Sequence, residues 1–473
     1  MTDQKKVVVL GAGIGGLSAG YFLARTGRYD VTVLEKAPVT GGLCASFDYQ
    51  DFRLDYGAHK IYSVIPGVLD EIEALMGDDL IKIEKKNRLY LQGHLVDYPL
   101  KLGNLASVLG LGKFLKIGLG YALELIAGAL KRDEPGSYED YMIRRFGRPA
   151  YELVFGPLAD KVWGDPAGLH PEMARTRVPV SGGMDVILKL LGLKKETAET
   201  SAEFFFYPRR GFGDFPETMK AKIEAAGGRV LVNSDVREID LHDGKVKAVS
   251  GTIEGNPFEF STDYLVSSIP LPVLGNLLFG DTDSSFVQVV HELQFRHLVL
   301  VYVFVDRPLV MEDQWVFFPE KDYIFSRIFE QKQMNPQLGP ENQTAICCDF
   351  TCDENSWQWQ ATDEELAQKT IEGLIKTGFV KPGQTQNTLV KRVRNFYPRY
   401  DLKYVQKMQM VNAKLKNAQN LLLTGRIGMY NYNNSDHCVD MGCFIAENLT
   451  QGLAPIHIWN QLEERVANYK IVD

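Results

Sequence analysis

The clearest alternation of apolar and polar positions lies in the first 36 residues of the chain. The segment KVVVLGAGIGGLSAGYFLARTGRYDVTVLEK starts with an apolar run, passes through a glycine-rich turn and continues with apolar residues at helical spacing. A second apolar run ends at Glu35. This order predicts a strand, a tight turn, a helix and a second strand, the unit from which doubly wound parallel sheets are built.

The pattern changes twice farther along the chain. From about 80 to 200 the apolar positions recur mostly at helical spacing, between breakers such as Pro135, Gly147 and Pro157. From 204 onward short strand-like runs dominate, with a helix at about 363–377 and a strand, a polar loop and a helix in 419–473. These patterns predict an α/β fold whose nucleotide-binding unit is assembled from separated pieces of the chain.

Composition limits the class of protein. The chain has 473 residues, 45% of them apolar and 24% charged, which is typical of a globular enzyme and excludes fibrous and disordered classes. Its net charge of −8 disfavours a general nucleic-acid-binding protein. The six cysteines include no Cys-x-x-Cys pair, so we expect neither a disulfide scaffold nor a metal site.

The sequence patterns around possible targeting and membrane segments predict a cytoplasmic protein. The N-terminus MTDQKKVVVL lacks the apolar core and cleavage site of an export signal. No uncharged apolar run reaches the length of about 18 residues that a spanning helix needs. The nearest approach, 104–130, is interrupted by Lys113, Lys116 and Glu124. It predicts one or two buried or groove-covering helices, with an interfacial membrane-docking helix as the alternative.

The glycine-rich turn carries the first chemical signal. Gly11, Gly13 and Gly16 form G-x-G-x-x-G directly after a strand, which allows a tight turn, close approach of the backbone to a pyrophosphate, and tight helix packing. Glu35, 19 residues beyond Gly16, is placed to accept hydrogen bonds from the ribose hydroxyls of an adenosine. A dinucleotide is therefore expected here, bound by Gly11, Gly13, Ile14, Gly15, Gly16 and Glu35.

The next stretch indicates which dinucleotide binds. A second glycine pair, Gly41 and Gly42, follows the acidic residue closely, and no second fingerprint for a nicotinamide nucleotide occurs. In this respect the sequence resembles FAD-dependent enzymes of the glutathione-reductase type, and the strand VLVNSDVREI resembles their adenine-binding segment. The resemblance implies FAD as the cofactor, with further contacts from Lys36, Gly41, Gly42, Leu43 and Val236.

Later segments resemble two families of flavoenzymes. LDYGAHKIY, RLYLQGHLVDYPLK, YIFSRIFEQK, FYPRYDLKYV and GRIGMYNYNNSDH are similar to UDP-galactopyranose mutases, and residues 138–178 are similar to the helical domain of protoporphyrinogen-oxidase-like proteins. The resemblance implies that His59 lies beside the flavin and that Gly425 and Arg426 contact it. It further implies a substrate site made of Arg327, Tyr397, Tyr430, Tyr432 and Asn434, where Asn434 replaces an Asp of the mutases.

The residues themselves leave several roles open. An arginine within the aromatic run IFSRIF needs an anionic partner, either a protein carboxylate or a substrate phosphate, because an unpaired charge there is costly. His59 is either a reacting-centre residue, together with Arg327, or a hydrogen-bonded loop residue. Alternation in MYNYNN would place Tyr430 and Tyr432 on one side of a strand, as a pocket wall or as core. Asp436 and His437 favour a helix N-cap over a catalytic base.

These observations define the expected architecture and activity. We predict an α/β protein with a Rossmann-like FAD-binding domain in three parts (1–75, 204–280 and 391–473), a helical substrate or lid domain (76–203) and a sheet-containing substrate domain (281–390). The expected function is an FAD-dependent oxidoreductase acting on a small molecule, such as a nucleotide sugar or another diphosphate-bearing glycoconjugate. A redox-neutral mutase, a protoporphyrinogen-oxidase-like enzyme and a non-catalytic binding protein are the alternatives.

Overall fold

A computed structural model describes residues 4–98, 102–130, 133–175, 203–280 and 282–471. Residues 176–202 of the predicted helical domain lie outside the described residues. The strands are β1 (Lys5–Leu10), β2 (Tyr29–Leu34), β3 (Ser46–Tyr49), β4 (Phe52–Asp55), β5 (Leu80–Glu84), β6 (Asn87–Leu91), β7 (His94–Asp97), β8 (Phe204–Pro208), β9 (Arg229–Leu231), β10 (Ser234–His242), β11 (Lys245–Ile253), β12 (Asn256–Ser261), β13 (Tyr264–Ser267), β14 (Gln294–Val305), β15 (Trp315–Phe317), β16 (Arg327–Glu330), β17 (Thr344–Cys352), β18 (Thr385–Arg399) and β19 (Leu421–Leu423).

The described α-helices are spread along the whole chain. They are α1 (Ile14–Arg25), α2 (Val68–Met76), α3 (Leu102–Leu130), α4 (Tyr138–Phe146), α5 (Arg148–Ala150), α6 (Gly156–Trp163), α7 (Glu172–Arg175), α8 (Asp214–Ala225), α9 (Leu271–Phe279), α10 (Ser284–His291), α11 (Trp357–Gln360), α12 (Asp363–Lys376), α13 (Tyr404–Leu415), α14 (Ser435–Thr450) and α15 (Pro455–Ala467). No helix among the described residues is both long and apolar enough to cross a bilayer.

A five-stranded parallel sheet forms the first layer of the molecule. Its strand order is β19-β13-β1-β2-β9, so neighbouring strands come from distant parts of the chain. Every pair in it is parallel, and Val9 of β1 lies between Val33 of β2 and Val266 of β13. Because parallel neighbours need crossover connections, the sheet is covered by helices. The predicted α/β class is confirmed, as is the assembly of its nucleotide-type sheet from separated segments.

Close helix packing fixes the glycine-rich turn against this sheet. Helix α1 packs against α14, and a Cβ added to Gly442 of α14 would lie 2.6 Å from the amide nitrogen of Ala19. On another side α1 approaches α8, where a Cβ on Gly20 would lie 3.2 Å from Ile223 Cδ1. The N-terminus of α1 is therefore held rigidly at the carboxyl end of β1.

A seven-stranded mixed sheet forms the second layer. Its order is β18-β14-β17-β16-β15-β6-β7, and only the β15–β6 pair is parallel. Strand β14 is buried on both faces: Leu298 and Leu300 join the main core, while Val299 and Val301 join a second core under α12. A strand buried on both faces has an almost continuous apolar sequence, as HLVLVYVFV does.

The expectation of mostly helical structure from about 80 onward is wrong for its first part. Residues 80–97 hold the strands β5, β6 and β7, of which β5 pairs with β8 and the other two extend the large sheet. Apolar runs of about five residues are too short for their periodicity to separate a strand from a helix. Strand β18 likewise continues the large sheet through Arg399, within the predicted third part of the FAD-binding domain. The domain limits themselves stay predictions.

Candidate functional site

The glycine-rich turn presents the amino end of α1 to open space. Gly11 adopts a φ of +91°, and its amide donates to the carbonyl of Leu34 at 2.8 Å, which closes the turn between β1 and β2. Gly13 is the N-cap of α1, no side chain caps it, and no acidic residue lies in the first turn. The first amides of a helix have no partner within the helix and carry partial positive charge, so this end suits a phosphate.

Three glycines at this turn differ in what a side chain would meet. A Cβ on Gly16 would lie 1.9 Å from the carbonyl oxygen of Gly11, and one on Gly15 would lie 2.7 Å from the Cα of Gly425. These two glycines are required by packing. A Cβ on Gly13 would meet no described atom nearer than the carbonyl oxygen of Gly41, at 4.0 Å. Gly13 therefore borders a cradle that a pyrophosphate can fill.

The second glycine pair closes the other side of this cradle. The amide of Gly41 donates to the carbonyl of Ala12 at 2.7 Å, and Gly41 forms a parallel bridge with Gly13. Gly41 and Gly42 have φ values of +101° and +55°, which residues with a Cβ rarely adopt. Leu43 follows in a short 3₁₀ turn, Gly42–Cys44. The structure thus brings together both predicted glycine segments.

Glu35 lies at the end of β2 and has a role that the sequence did not indicate. Its Oε2 accepts from the amide of Ala12 at 2.7 Å, and its Oε1 accepts from the amide of Ala37 at 2.8 Å. A carboxylate has about four lone-pair positions, so each oxygen can still accept a ribose hydroxyl. Glu35 therefore holds the glycine turn in shape and keeps acceptor capacity for an adenosine.

Replacing Glu35 by alanine is expected to weaken FAD binding about tenfold to a hundredfold, because a charge-assisted hydrogen bond contributes about 1.5–3 kcal/mol. The same change leaves the amides of Ala12 and Ala37 without their acceptor, so the apoprotein should also unfold more easily. Titration of apoprotein with FAD, followed by thermal unfolding without FAD, separates the two effects. An unchanged FAD affinity would refute the ribose role.

The segment predicted to meet the adenine lies directly beside Glu35. The amide of Ser234 donates to the carbonyl of Glu35 at 2.8 Å, and that of Asn233 donates to the carbonyl of Ala37 at 3.1 Å. Lys36 forms an exposed ion pair with Asp235 at 3.0 Å. Val236 follows two residues after Ser234 in β10, and its contact with the adenine stays a prediction.

Arg426 follows Gly425 in the turn that faces Gly15. Its Nε donates to the carbonyl of Asn433 at 2.8 Å, and its guanidinium lies 5.1 Å from the ring centre of Tyr397 and 5.5 Å from that of Tyr432. Within the described residues it forms no ion pair with a carboxylate. A guanidinium resting on aromatic faces keeps its charge available for an anion.

His59 lies close to both candidate arginines. Its ring stacks on Phe212 with 4.7 Å between the ring centres, and its Nε2 is buried without a hydrogen-bond partner among the described residues. Burial, together with the positive charges of Arg327 and Arg426, lowers the pKa of His59 to about 3. The imidazole is therefore neutral, and its unpartnered nitrogen is available to a bound molecule.

Arg327 is paired with a protein carboxylate, one of the two partners that the sequence left open. It stands directly opposite Asp349 across the β16–β17 ladder, and its Nε and Nη2 contact Asp349 Oδ2 at 2.7 and 2.5 Å. Burial raises the pKa of Asp349, whereas the guanidinium opposes that rise. Both bonds go to one oxygen, so three of the five guanidinium N–H groups remain for other acceptors. The Arg327 side chain keeps 20% of its surface exposed.

The three candidate tyrosines do not act as one group. The rings of Tyr397 and Tyr432 lie 4.7 Å apart, and both face Arg426. The hydroxyl of Tyr430 instead donates into the carbonyls of Gln294 and Arg399, at 2.6 and 2.7 Å, within the core. The expected strand alternation is wrong because residues 426–430 form a turn and Tyr430 has a φ of +49°. The structure places Tyr430 away from the candidate site.

The polar run after these tyrosines begins a helix two or three residues earlier than predicted. Asn434 is the N-cap of α14, and its amide donates to Nδ1 of His437 at 3.0 Å. His437 is buried against Tyr469 with 4.4 Å between the ring centres, and burial lowers its pKa. Asn434 and His437 thus shape the start of the helix, and Asp436 lies buried in its first turn.

A buried network that the sequence did not single out supports His59. Asp55 accepts from Ser46 Oγ at 2.5 Å, from the amide of Phe212 at 3.0 Å and from the hydroxyl of Tyr207. Burial raises the pKa of Asp55. Since Phe212 carries the ring on which His59 stacks, Asp55 fixes one wall of the site. Its only signal in the sequence was a carboxylate at the end of a buried strand, four residues before His59.

The fold and these residues define a flavoprotein of the type that binds FAD along a glycine-rich turn. The cradle beside Gly13, the acceptor oxygens of Glu35 and the unpartnered Nε2 of His59 fit the diphosphate, ribose and ring of that cofactor. The chain belongs to the flavin-containing amine oxidoreductase family, whose model matches residues 14–435. FAD is the cofactor of this family, which confirms the predicted cofactor.

Sequence relatives include phytoene desaturases, and each alignment covers only part of this chain. The phytoene desaturase of Cercospora nicotianae is 38% identical over 79 residues, 17% of this chain and 12% of the relative. The 15-cis-phytoene desaturase of Capsicum annuum is 24% identical over 337 residues, 65% of this chain and 54% of the relative. The chain thus spans from about an eighth to about half of the length of these relatives.

Solved structures match over the whole chain. Reduced UDP-galactopyranose mutase aligns with a TM-score of 0.82 at 19% identity, covering 100% of this chain and 99% of that chain. A protein assigned as a protoporphyrinogen oxidase from Exiguobacterium sp. 255-15 aligns with a TM-score of 0.71 at 18% identity, covering 96% and 100%. At such identities the likeness shows the shared fold and nothing about the substrate.

Proposed function

We propose that the protein is an FAD-dependent oxidoreductase acting on a carbon of a diphosphate-bearing substrate such as a nucleotide sugar. The observation that carries this proposal is Arg426, a guanidinium over two aromatic rings with no carboxylate partner among the described residues. Arg426 lies in the same region as Arg327, since the positive charges of both arginines lower the pKa of His59. Arg426 without a carboxylate partner in the described part of the chain, beside Arg327 paired with Asp349, favours an anionic ligand.

The side chains around this region would bind and orient the substrate. When bound, FAD supplies the hydride exchange. Tyr397, whose ring is only partly buried, offers a flat face for a sugar or base, and the buried ring of Tyr432 packs against it. The three remaining N–H groups of Arg327 can donate to phosphate oxygens. His59 is neutral and can donate or accept a single hydrogen bond, but its low pKa excludes it as a cationic acid near pH 7.

A redox-neutral mutase acting on a nucleotide sugar is the second candidate. It is favoured by the alignment with reduced UDP-galactopyranose mutase over the full length of both chains. The two candidates differ in electron balance: an oxidoreductase consumes one equivalent of bound oxidant or reductant per turnover, whereas a mutase consumes none. Anaerobic incubation with UDP-galactose distinguishes them, because only the first changes the oxidation state of the flavin in proportion to product.

The tyrosines give a matched test of substrate binding. Tyr397→Phe is expected to weaken UDP-galactose binding about twofold to tenfold, since it removes one neutral hydrogen bond of about 0.5–1.5 kcal/mol. Tyr432→Phe should have a smaller effect, because the Tyr432 side chain is only 2% exposed. Tyr264→Phe is the control, because in the described contacts its hydroxyl meets only Lys5, at the amino ends of the neighbouring strands β13 and β1. Binding is measured by calorimetry with FAD oxidised and reduced.

Two results would count against the substrate class. The proposal fails if neither UDP-galactose nor UDP binds in either flavin state. It also fails if Tyr264→Phe weakens binding as much as Tyr397→Phe does. In both cases the FAD-binding fold would stand, and an apolar or porphyrin-like substrate would become the leading alternative.

A further inference from the structure

One face of α3 exposes a row of leucines to solvent. Leu111, Leu115, Leu119 and Leu123 are 72%, 59%, 61% and 57% exposed. They recur every fourth residue, and on a helix of 3.6 residues per turn they lie within about 120° of arc. The row is about 18 Å long at 1.5 Å per residue. We refer to these four residues as the leucine row.

The opposite face of α3 packs against the rest of the protein. Ile117 packs against the core formed by β6 and β7, and a Cβ on Gly120 would lie 2.5 Å from Pro149 Cδ. Gly147 approaches the same point, since its Cβ would lie 2.8 Å from the carbonyl carbon of Gly120. The helix cannot rotate to bury the leucine row without losing these contacts. The packing of the opposite face therefore keeps the leucine row exposed.

The residues around the leucine row are small or basic. Gly112, Gly118 and Ala122 lie exposed between the leucines, and Lys116 borders the row. Lys113 lies farther round the helix, where its Nζ donates to Gln92 Oε1 at 3.0 Å. From 111 to 123 the segment carries two lysines and no acidic residue, although the whole chain has a net charge of −8. Its charge is thus opposite to that of the protein as a whole.

We propose that the leucine row docks on an anionic lipid surface, with α3 lying in the plane of the interface. Exposed leucines with a lysine at their border suit a surface that combines acyl chains with anionic headgroups. A second copy of the chain is a poorer occupant, because an antiparallel pair of these faces would bring Lys116 against Lys116. The proposed contact is peripheral, since it uses one exposed face of α3.

Vesicle sedimentation of the FAD-loaded protein tests this proposal. The wild type should sediment with vesicles of phosphatidylcholine containing about one third phosphatidylglycerol, and more weakly with phosphatidylcholine alone. The double variant Leu115→Gln/Leu119→Gln should bind at least about tenfold more weakly, because it removes the central apolar contacts. Lys116→Gln should lose about fivefold on the anionic vesicles and nothing on the neutral ones.

Leu402→Gln is the matched control, since Leu402 is 48% exposed on another part of the surface. It should bind vesicles like the wild type. Equal binding by the wild type and the double variant would overturn the proposal, as would the absence of wild-type binding. So would a wild-type dimer in sedimentation velocity that the double variant dissociates without any vesicle binding, which would assign the row to a second copy.

Discussion

Gly13→Val is expected to leave the protein folded and nearly free of FAD. A Cβ at Gly13 meets no described atom nearer than the carbonyl oxygen of Gly41, at 4.0 Å, so the apoprotein accommodates it. The branched side chain then stands in the cradle at the amino end of α1, where the pyrophosphate would bind. We expect FAD affinity to fall at least about a hundredfold, which corresponds to about 2.8 kcal/mol at 1.4 kcal/mol per tenfold.

Two other glycine variants make this result specific. Gly136→Val is the control, because its Cβ likewise meets nothing within 4 Å and it lies outside the site, so FAD content should stay at the wild-type level. Gly16→Ala should instead destabilise the fold itself, since the added Cβ would lie 1.9 Å from the Gly11 carbonyl oxygen. Full FAD content in Gly13→Val would show that the phosphate cradle is misplaced.

Arg327→Ala should lower the free energy of unfolding by about 3–5 kcal/mol, because it leaves Asp349 buried and unpaired. Asp349→Asn should cost less, since the Arg327 side chain is 20% exposed and reaches water. The double variant Arg327→Ala/Asp349→Asn removes the buried charge altogether and should recover much of the loss. Denaturant unfolding of the four proteins, with FAD saturating, provides the measurement.

The loss in Arg327→Ala should depend on pH in a defined direction. Burial raises the pKa of Asp349, and removing the guanidinium raises it further. The folded variant then binds a proton at pH values where the unfolded chain, with an aspartate pKa of about 3.9, does not. Its stability therefore falls as pH rises. The deficit relative to the wild type should be larger at pH 8 than at pH 5, and a pH-independent deficit would contradict this assignment.

The double variant also separates stability from substrate binding. If Arg327 donates to a diphosphate, Arg327→Ala/Asp349→Asn should fold and hold FAD yet bind UDP-galactose at least about tenfold more weakly, because charge-assisted hydrogen bonds contribute about 1.5–3 kcal/mol. Unchanged UDP-galactose affinity in that variant would restrict Arg327 to its cross-strand ion pair.

The cofactor half of the site could be predicted because its determinants are local. The turn from Gly11 to Gly16, the helix behind it and Glu35 all lie within one strand–helix–strand unit, where spacing alone fixes geometry. Glu35 shows the limit of such prediction. Its bonds to the amides of Ala12 and Ala37 depend on loop conformation, which the sequence pattern does not specify.

The substrate half depends on contacts between distant segments. Arg327 and Asp349 meet because β16 and β17 pair in one register, and nothing in IFSRIF indicates which carboxylate stands opposite. Tyr430 has a φ of +49° in a turn, so the period-two pattern of MYNYNN was misleading. In both cases tertiary packing decided the side on which a residue lies.

The FAD content of the wild-type chain tests the central claim most directly. Apoprotein would be incubated with excess FAD, freed of unbound cofactor by gel filtration, and assayed for flavin released on denaturation. We expect about one FAD per chain and reversible bleaching of its visible absorption by dithionite, as for other proteins that bind FAD at a strand–glycine turn–helix unit. A folded chain that retains no flavin after this treatment would contradict the account.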